Sequence, residues 1–340
     1  MGSVKDIVVI EAPQGEKSGV GKFIFSDRFS VFDWGKMPDT IPNKGKAICI
    51  MGAFFFEKLE KENIKTHYMG VVDGGKVTRL SDAKNPPDEM IVKLVRVLKP
   101  ELREGKYDYS IYKKERVNFL IPLEVIYRNS LPEGSSVFRR LKEGKIKPQD
   151  LGLEEYPRPG QRLPKTIVDI STKLESTDRY ISWDEAMEIA GLSESEADRL
   201  KEMTIFASDM ITSQTEKKRI NNDDGKFEFA FDERRSIMFV DVLGTPDECR
   251  FILDGFHISK EVLRKFYRKT SWYIEIEEAK KKDQVMWRNF VKSSPPKLPD
   301  DIKNLVSQLY TSCCNEITER DWFKSPPLSD VIRNLRSLLD

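Results

Sequence analysis

Along residues 224–250 apolar and polar positions alternate with a period of two on both sides of a charged break, the pattern of a β-hairpin with one buried face. Phe227, Phe229 and Phe231 fall on one face, Lys226 and Glu228 on the other. Asp-Glu-Arg-Arg at 232–235 supplies the turn. With a four-residue loop Phe231 pairs with Ser236, Glu228 lies opposite Phe239, and Asp241 lies opposite Lys226. Two carboxylates then flank a lysine, near enough for both to reach one hard cation that also holds phosphate oxygens. A five-residue loop breaks this register, and a solvated hairpin surface is the alternative reading of the same charges. A turn centred on Pro246 brings Arg250 back toward the same end.

Elsewhere the pattern divides the chain into three regions. Residues 1–120 read as short strands (5–10, 21–25, 66–72 and 90–98) with a helix over 47–61, an α+β nucleotide-binding lobe. Residues 101–116 read as an inserted turn or hairpin. A second lobe, 121–290, is expected to bind substrate and metal. Within it residues 182–218 give two helices, with Ser182 and Ser193 as N-caps and Glu196 completing a capping box after Ser193. Residues 259–269 give another helix. The proline-rich connector 293–301 excludes helix through its middle, after which apolar spacing at three and four resumes. The last helix begins at Ser329, and 291–340 is read as a helical extension packing on the body.

Lys plus Arg number 57 and Asp plus Glu 56, so the chain lacks the basic excess of a general nucleic-acid binder, while a local pocket for small anions stays open. No apolar stretch has the length of a membrane span, and the start lacks the charged-then-apolar order of a signal peptide. A cytoplasmic protein without membrane partners is the expectation. Cys49, Cys249, Cys313 and Cys314 show no metal-ligand spacing and read as free thiols. The two histidines, His67 and His257, read as structural.

Three further segments carry candidate chemistry. Residues 15–22 are glycine-rich and basic between apolar strands, so their backbone can approach phosphates, but Glu16 and Phe23 exclude a Walker A loop. Arg128 sits in an otherwise apolar strand and needs an anionic partner, either Glu124 or a phosphate held with Gly134 and Ser135 just downstream. The run 90–98 reads as a core strand, or as the wall of an adenine pocket to which Lys93 and Val95 lend backbone groups.

The hairpin resembles the signature of the phosphoribosylaminoimidazole-succinocarboxamide synthase (SAICAR synthetase) family. Asp224, Lys226, Phe227, Glu228 and Phe229 match its D-T-K-F-E-F-G block. Asp241, Val242, Leu243, Thr245, Pro246, Asp247, Arg250 and Phe251 match its D-E-V-L-T-P-D-S-S-R-F block with small shifts. Residues 26–56 are similar to D-R-I-S-A-F-D followed by I-P-N-K-G, residues 122–136 to P-x-E-x-I-x-R-N with a following G-S, and residues 171–182 to S-T-K-A-E-x-x-D-x-x-I-S. One departure is the polar run at 219–225, where the family has an apolar strand. It leaves Asp223 or Asp224 as the family aspartate.

The resemblance implies a two-lobed α+β fold with antiparallel sheets and an ATP cleft between the lobes. It also implies an ATP-dependent ligase that joins L-aspartate to the carboxylate of carboxyaminoimidazole ribonucleotide. ATP and magnesium are the implied cofactors; a homo-oligomer is left open. By the same resemblance Lys226, Asp224 and Asp33 are catalytic, and Glu228 and Asp241 hold magnesium on the nucleotide. Gly15 and Lys17 are the nearest equivalents of the family's phosphate-covering turn, and Lys93 and Val95, from the reading of the 90–98 strand, complete the expected nucleotide site. Asp27, Arg28, Ser30, Lys44, Arg128, Ser135, Asp178 and Arg250 bind substrate. A carboxylate is a poor electrophile, so ATP first converts it to an acyl phosphate that the amine attacks. No histidine is needed. The rival readings are a kinase-like phosphotransferase and a nucleotide sensor, neither of which needs the amino-acid loop at 27–33.

Overall fold

The computed structural model describes residues 5–283 and 286–339. The first sheet takes β1 (Lys5–Glu11), β2 (Gly19–Phe25), β3 (Tyr68–Asp73), β4 (Lys76–Thr78) and β5 (Glu89–Leu94), in the order β1-β2-β5-β3-β4. Helix α1 (Lys44–Lys61) covers one face. Its start is fixed by Asp27, whose carboxylate accepts from the backbone N–H groups of Asn43 (3.1 Å) and Gly45 (3.0 Å), capping donors that the helix leaves unsatisfied. Gly45 is required there, because a Cβ would sit 2.8 Å from the Phe25 carbonyl carbon and oxygen.

Residues 101–108 form the expected hairpin, β6 (Glu101–Arg103) and β7 (Lys106–Asp108), followed by the short α2 (Ser110–Lys114). The second sheet is built from β8 (Phe119–Leu131), β9 (Gln161–Thr172), β10 (Asn221–Phe231), β11 (Ile237–Val240), β12 (Cys249–Leu253) and β13 (Phe256–Ile258). Its order is β13-β12-β10-β8-β9, with β11 also paired to β10, and every pairing is antiparallel. Between these strands lie α3 (Ser136–Lys142), α4 (Trp183–Ala190) and α5 (Glu194–Glu216). Ser182 accepts from Glu185 N–H, and Ser193 with Glu196 closes the capping box, as the sequence predicts. Then follow α6 (Glu261–Arg268), α7 (Ser271–Lys282), α8 (Asp300–Thr318) and α9 (Leu328–Leu339). Helix α8 packs on α1, and α9 on α8. One hydrophobic core runs through both sheets and these helices.

The hairpin register differs from the expected one. Phe231 pairs with Ile237, Phe229 with Phe239 and Glu228 with Val240, so the loop spans five residues, 232–236. Asp232 decides this: its carboxylate accepts from Arg234 N–H (2.9 Å) and Ser236 N–H (2.8 Å), folding the extra residue into the turn. A one-residue shift exchanges the faces of the second strand, so Phe239 joins the phenylalanine core and Asp241 is not opposite Lys226. The polar run before the hairpin is nevertheless a strand. Asn222 is buried there and accepts from Tyr127 OH at 2.7 Å, so its polarity costs little.

Candidate active site

The strand ladder β9-β8-β10-β12 sets charged residues across one sheet face. Asp224 pairs with Arg128 on one side and Arg250 on the other, while Glu228 lies opposite Glu124. Above this face opens a cavity of about 920 Å³ whose lining includes Arg128, Asp178, Asp224, Lys226, Glu248 and Arg250. Its far wall is β13 and α6, with His257, Lys260 and Arg264.

At one end Arg128, with a side chain 2% exposed, is held from every side. It donates to Asp224 (3.3 Å), Asp169 (3.3 Å), Ser136 (3.2 Å), Tyr180 (3.1 Å) and Ser135 (3.4 Å). Glu124, the partner considered from sequence, is elsewhere: it takes Lys226 at 2.8 Å. Arg250 grips Asp224 through two bonds of 2.6 Å, a bidentate fork that stays one-third exposed toward the cavity.

At the other end are the hairpin carboxylates. Asp241 has φ 64, which takes it out of the strand. Continued extension would have sent its side chain into the phenylalanine face; the left-handed turn instead returns it to the charged face beside Glu228. Lys5, from the start of β1, donates to Asp241 at 2.5 Å, and Lys173 donates to Glu228. Burial, added to by the Asp241 charge, pushes Glu228 up to about 7, although Lys173 opposes. Burial also raises Asp241, but Lys5 outweighs it and holds that carboxyl below its usual range. Lys226 is desolvated, yet Glu248 and Glu124 keep its ammonium well above the ordinary value. Burial drives His67 down to about 4, so it is neutral, with Nε2 3.1 Å from the Asp241 carbonyl oxygen.

The SAICAR synthetase family model matches residues 2–280. The chain belongs to the SAICAR synthetase family. A protein of Archaeoglobus fulgidus, named provisionally as a phosphoribosylaminoimidazole-succinocarboxamide synthase, is 52% identical over 340 residues, all of both chains. The phosphoribosylaminoimidazole-succinocarboxamide synthase of Thermoplasma acidophilum is 32% identical over 312 residues, 88% of this chain and 93% of that one. Among solved structures, the Saccharomyces cerevisiae SAICAR synthase in complex with SAICAR has a TM-score of 0.64 at 24% identity, covering 95% of this chain and 94% of that one. A SAICAR synthetase in complex with ADP shares the fold, with a TM-score of 0.57 at 21% identity over 88% of this chain and 99% of that one. As a SAICAR synthetase this protein is an ATP-dependent ligase of purine biosynthesis.

Of the residues expected from sequence, Lys226, Asp224, Glu228, Asp241, Arg128, Asp178 and Arg250 converge on the charged face or its cavity. Burial, then the charge of Glu124, raises the Asp178 carboxyl. Ser135 caps α3 and accepts from Arg128. The loop at 27–33 stands apart from the cavity lining. Asp27 caps α1, Arg28 pairs with Asp6 (2.7 Å), Ser30 accepts from Gly35 N–H, and the Asp33 carbonyl accepts from Arg288. Lys44 is buried against Asp247 at 2.7 Å, their side chains 1% and 6% exposed, and Tyr310 OH donates to the same carboxylate at 2.8 Å. Gly15 and Lys17 form a turn tied to Asn118, and Lys17 pairs outward with Glu11. Lys93 hydrogen-bonds His67 through its backbone, and Val95 joins the small apolar cluster of Leu120, Ala230, Met238 and Val240.

Sequence reasoning missed Lys5, Lys173, Glu248, Lys260 and Arg264. A signal existed for one of them: Lys173 stands inside the S-T-K motif. Among the described residues no three His, Cys, Asp or Glu side chains form a ready metal cage. Magnesium does not require one, since it takes one or two carboxylates and completes its shell with phosphate oxygens and water. Glu228 and Asp241 fit that role: hard oxygen donors, side by side, with mutual repulsion that a cation relieves.

Proposed function

We propose that the two ends of the charged face divide the reaction between them. The observation that carries this is one cavity with an arginine pair on Asp224 at one end and Lys226 among carboxylates at the other. Asp224 and Glu228 are four residues apart on β10, about 13 Å at strand rise, comparable to the length of a mononucleotide. Arg250 and the 133–135 turn, backed by buried Arg128, hold the 5′-phosphate of carboxyaminoimidazole ribonucleotide. That orientation directs its imidazole carboxylate toward Lys226.

ATP approaches from the first sheet. Lys5, Ile7 and Val9 alternate onto one face of β1, the face that takes Lys5 to Asp241, and Ile7 and Val9 are each 57% exposed. They would offer one apolar wall for the adenine, and the cluster of Val95, Leu120, Met238 and Val240 would supply the other. Glu228 and Asp241 would hold magnesium, which supplies charge neutralisation on the transferring phosphoryl group. Lys226 steadies the negative charge that develops as the phosphoryl group passes to the imidazole carboxylate. Asp224 keeps the two arginines in place. Lys260, at the N-cap of α6, and Arg264 on that helix face the carboxylates of L-aspartate, whose amine attacks the acyl phosphate and expels phosphate; Asp178, whose carboxyl feels the charge of Asp33, orients that amine.

The test is phosphate release with each substrate left out in turn. Release is expected only with ATP, the ribonucleotide and L-aspartate together, because the acyl phosphate turns over only when captured. ATP turnover that needs no aspartate and uses a hydroxyl acceptor would replace this reading with a kinase.

A further inference from the structure

The two hairpin carboxylates are not vacant ligands. Lys5 Nζ occupies Asp241 Oδ1 at 2.5 Å, and Lys173 Nζ occupies Glu228 Oε1. All four side chains are largely buried, between 14% and 24% exposed. The lysines come from far away in sequence: Lys5 opens β1, and Lys173 follows the last residue of β9. Neither is needed to fold the hairpin, whose register is set by the phenylalanine face and the Asp232 turn. Within these two pairs the charges balance; Glu124 also lies 3.8 Å from Lys173, but its nearer partner is Lys226 at 2.8 Å. A bare dication entering there meets two fixed ammonium groups at close range in a poorly solvated site, and the repulsion is only weakly screened. Nucleotide phosphates remove the conflict, because their oxygens accept the ammonium groups and complete the metal shell at once.

The geometry points to Lys5 and Lys173 as exchangeable counter-ions that keep the carboxylate pair closed to free divalent metal and open it when a nucleotide polyphosphate arrives. Metal and nucleotide then bind as one unit. The inference rests on Glu228 and Asp241 being the magnesium ligands. Lys5 lies on the β1 face that also carries Ile7 and Val9, so a nucleotide seated there meets Lys5 on its way to the carboxylates. Lys226 does not share the role, since Glu124 and Glu248 hold it from the other side.

Manganese serves as the probe, its free ion counted by electron paramagnetic resonance in the full-length protein at mildly alkaline pH, with and without ADP. The wild type is expected to bind manganese at least about tenfold more tightly with ADP than without, a factor well within the repulsion of unit charges a few ångströms apart. Lys5→Met and Lys173→Met should each tighten ADP-free manganese binding by about tenfold or more, and each should weaken ADP binding measured without metal. Thermal melts report folding, and two independent variants guard against one failing to fold. ADP-free manganese affinity unchanged in both folded variants, while ADP still recruits manganese in the wild type, overturns the counter-ion role and leaves the metal site standing. No manganese binding to wild type even with ADP, or binding that survives Glu228→Gln, removes the metal assignment itself and this inference with it.

Discussion

Lys44 separates a substrate role from a structural one more sharply than any other residue expected at the site. Its ammonium lies against Asp247 at 2.7 Å with 1% exposure, and burial draws its pKa below the ordinary lysine value although Asp247 opposes. Lys44→Met keeps the length of the chain and deletes the charge, leaving Asp247 buried with the Tyr310 hydroxyl as its remaining donor. Breaking a buried pair on one side costs about 3–5 kcal/mol, and the surviving Tyr310 bond places this case near about 3 kcal/mol. Asp247→Leu alone strands the ammonium and should cost about as much. In Lys44→Met/Asp247→Leu no charge is left unpaired, so the double variant should recover most of the loss, a coupling of about 2–3 kcal/mol. Urea unfolding followed by tryptophan fluorescence reads all four proteins, with an unchanged slope showing that the unfolded state is the same. For Lys44→Met, KM for each substrate should stay near wild type once the folded fraction is accounted for. A single-variant loss below about 1 kcal/mol, strict additivity in the double variant, or a collapse of kcat without loss of stability would refute the buried-pair argument and return Lys44 to the substrate.

Glu228→Gln and Asp241→Asn keep size and packing but remove the charges that hold metal, so folding should survive while kcat falls at least about a hundredfold; near-normal turnover in both would remove the metal site. Arg128→Met should raise KM for the ribonucleotide and leave KM for ATP nearly unchanged, with the stability cost softened because Asp224 retains Arg250 and Asp169 retains Arg140; equal losses for both substrates would make Arg128 purely structural. His67 has a folded pKa of about 4 against an ordinary value of 6.5, so between those values the unfolded chain binds more protons and stability rises with pH. The contribution is fully present above the unfolded value and lost as pH falls toward about 4, on the order of 3 kcal/mol in all, and His67→Gln should flatten the urea-stability profile in that window.

Local pattern by itself determined the hairpin strands, the phenylalanine face of β10, the starts of α4 and α5 at their Ser182 and Ser193 caps, the proline break before α8, and the free thiols, all of them buried. These follow from interactions within a few residues, where side-chain period and capping chemistry are complete in the sequence. The family motifs likewise put Asp224, Lys226, Glu228, Arg128, Asp178 and Arg250 in reach of one another. The register was another matter, because it turned on whether the Asp232 side chain would bond two backbone N–H groups and admit a fifth loop residue. So was the direction of Asp241, which a left-handed backbone re-aims. Only tertiary structure decided which cations meet which carboxylates: Lys5 reaches Asp241 across 236 residues, Lys226 reaches Glu124 across 102, and Lys44 reaches Asp247 across 203. Charge pairs of that range are set by sheet order and helix packing, not by spacing along the chain. A lysine reads the same in sequence whether it is solvated, buried against one acid, or poised between an acid and a phosphate.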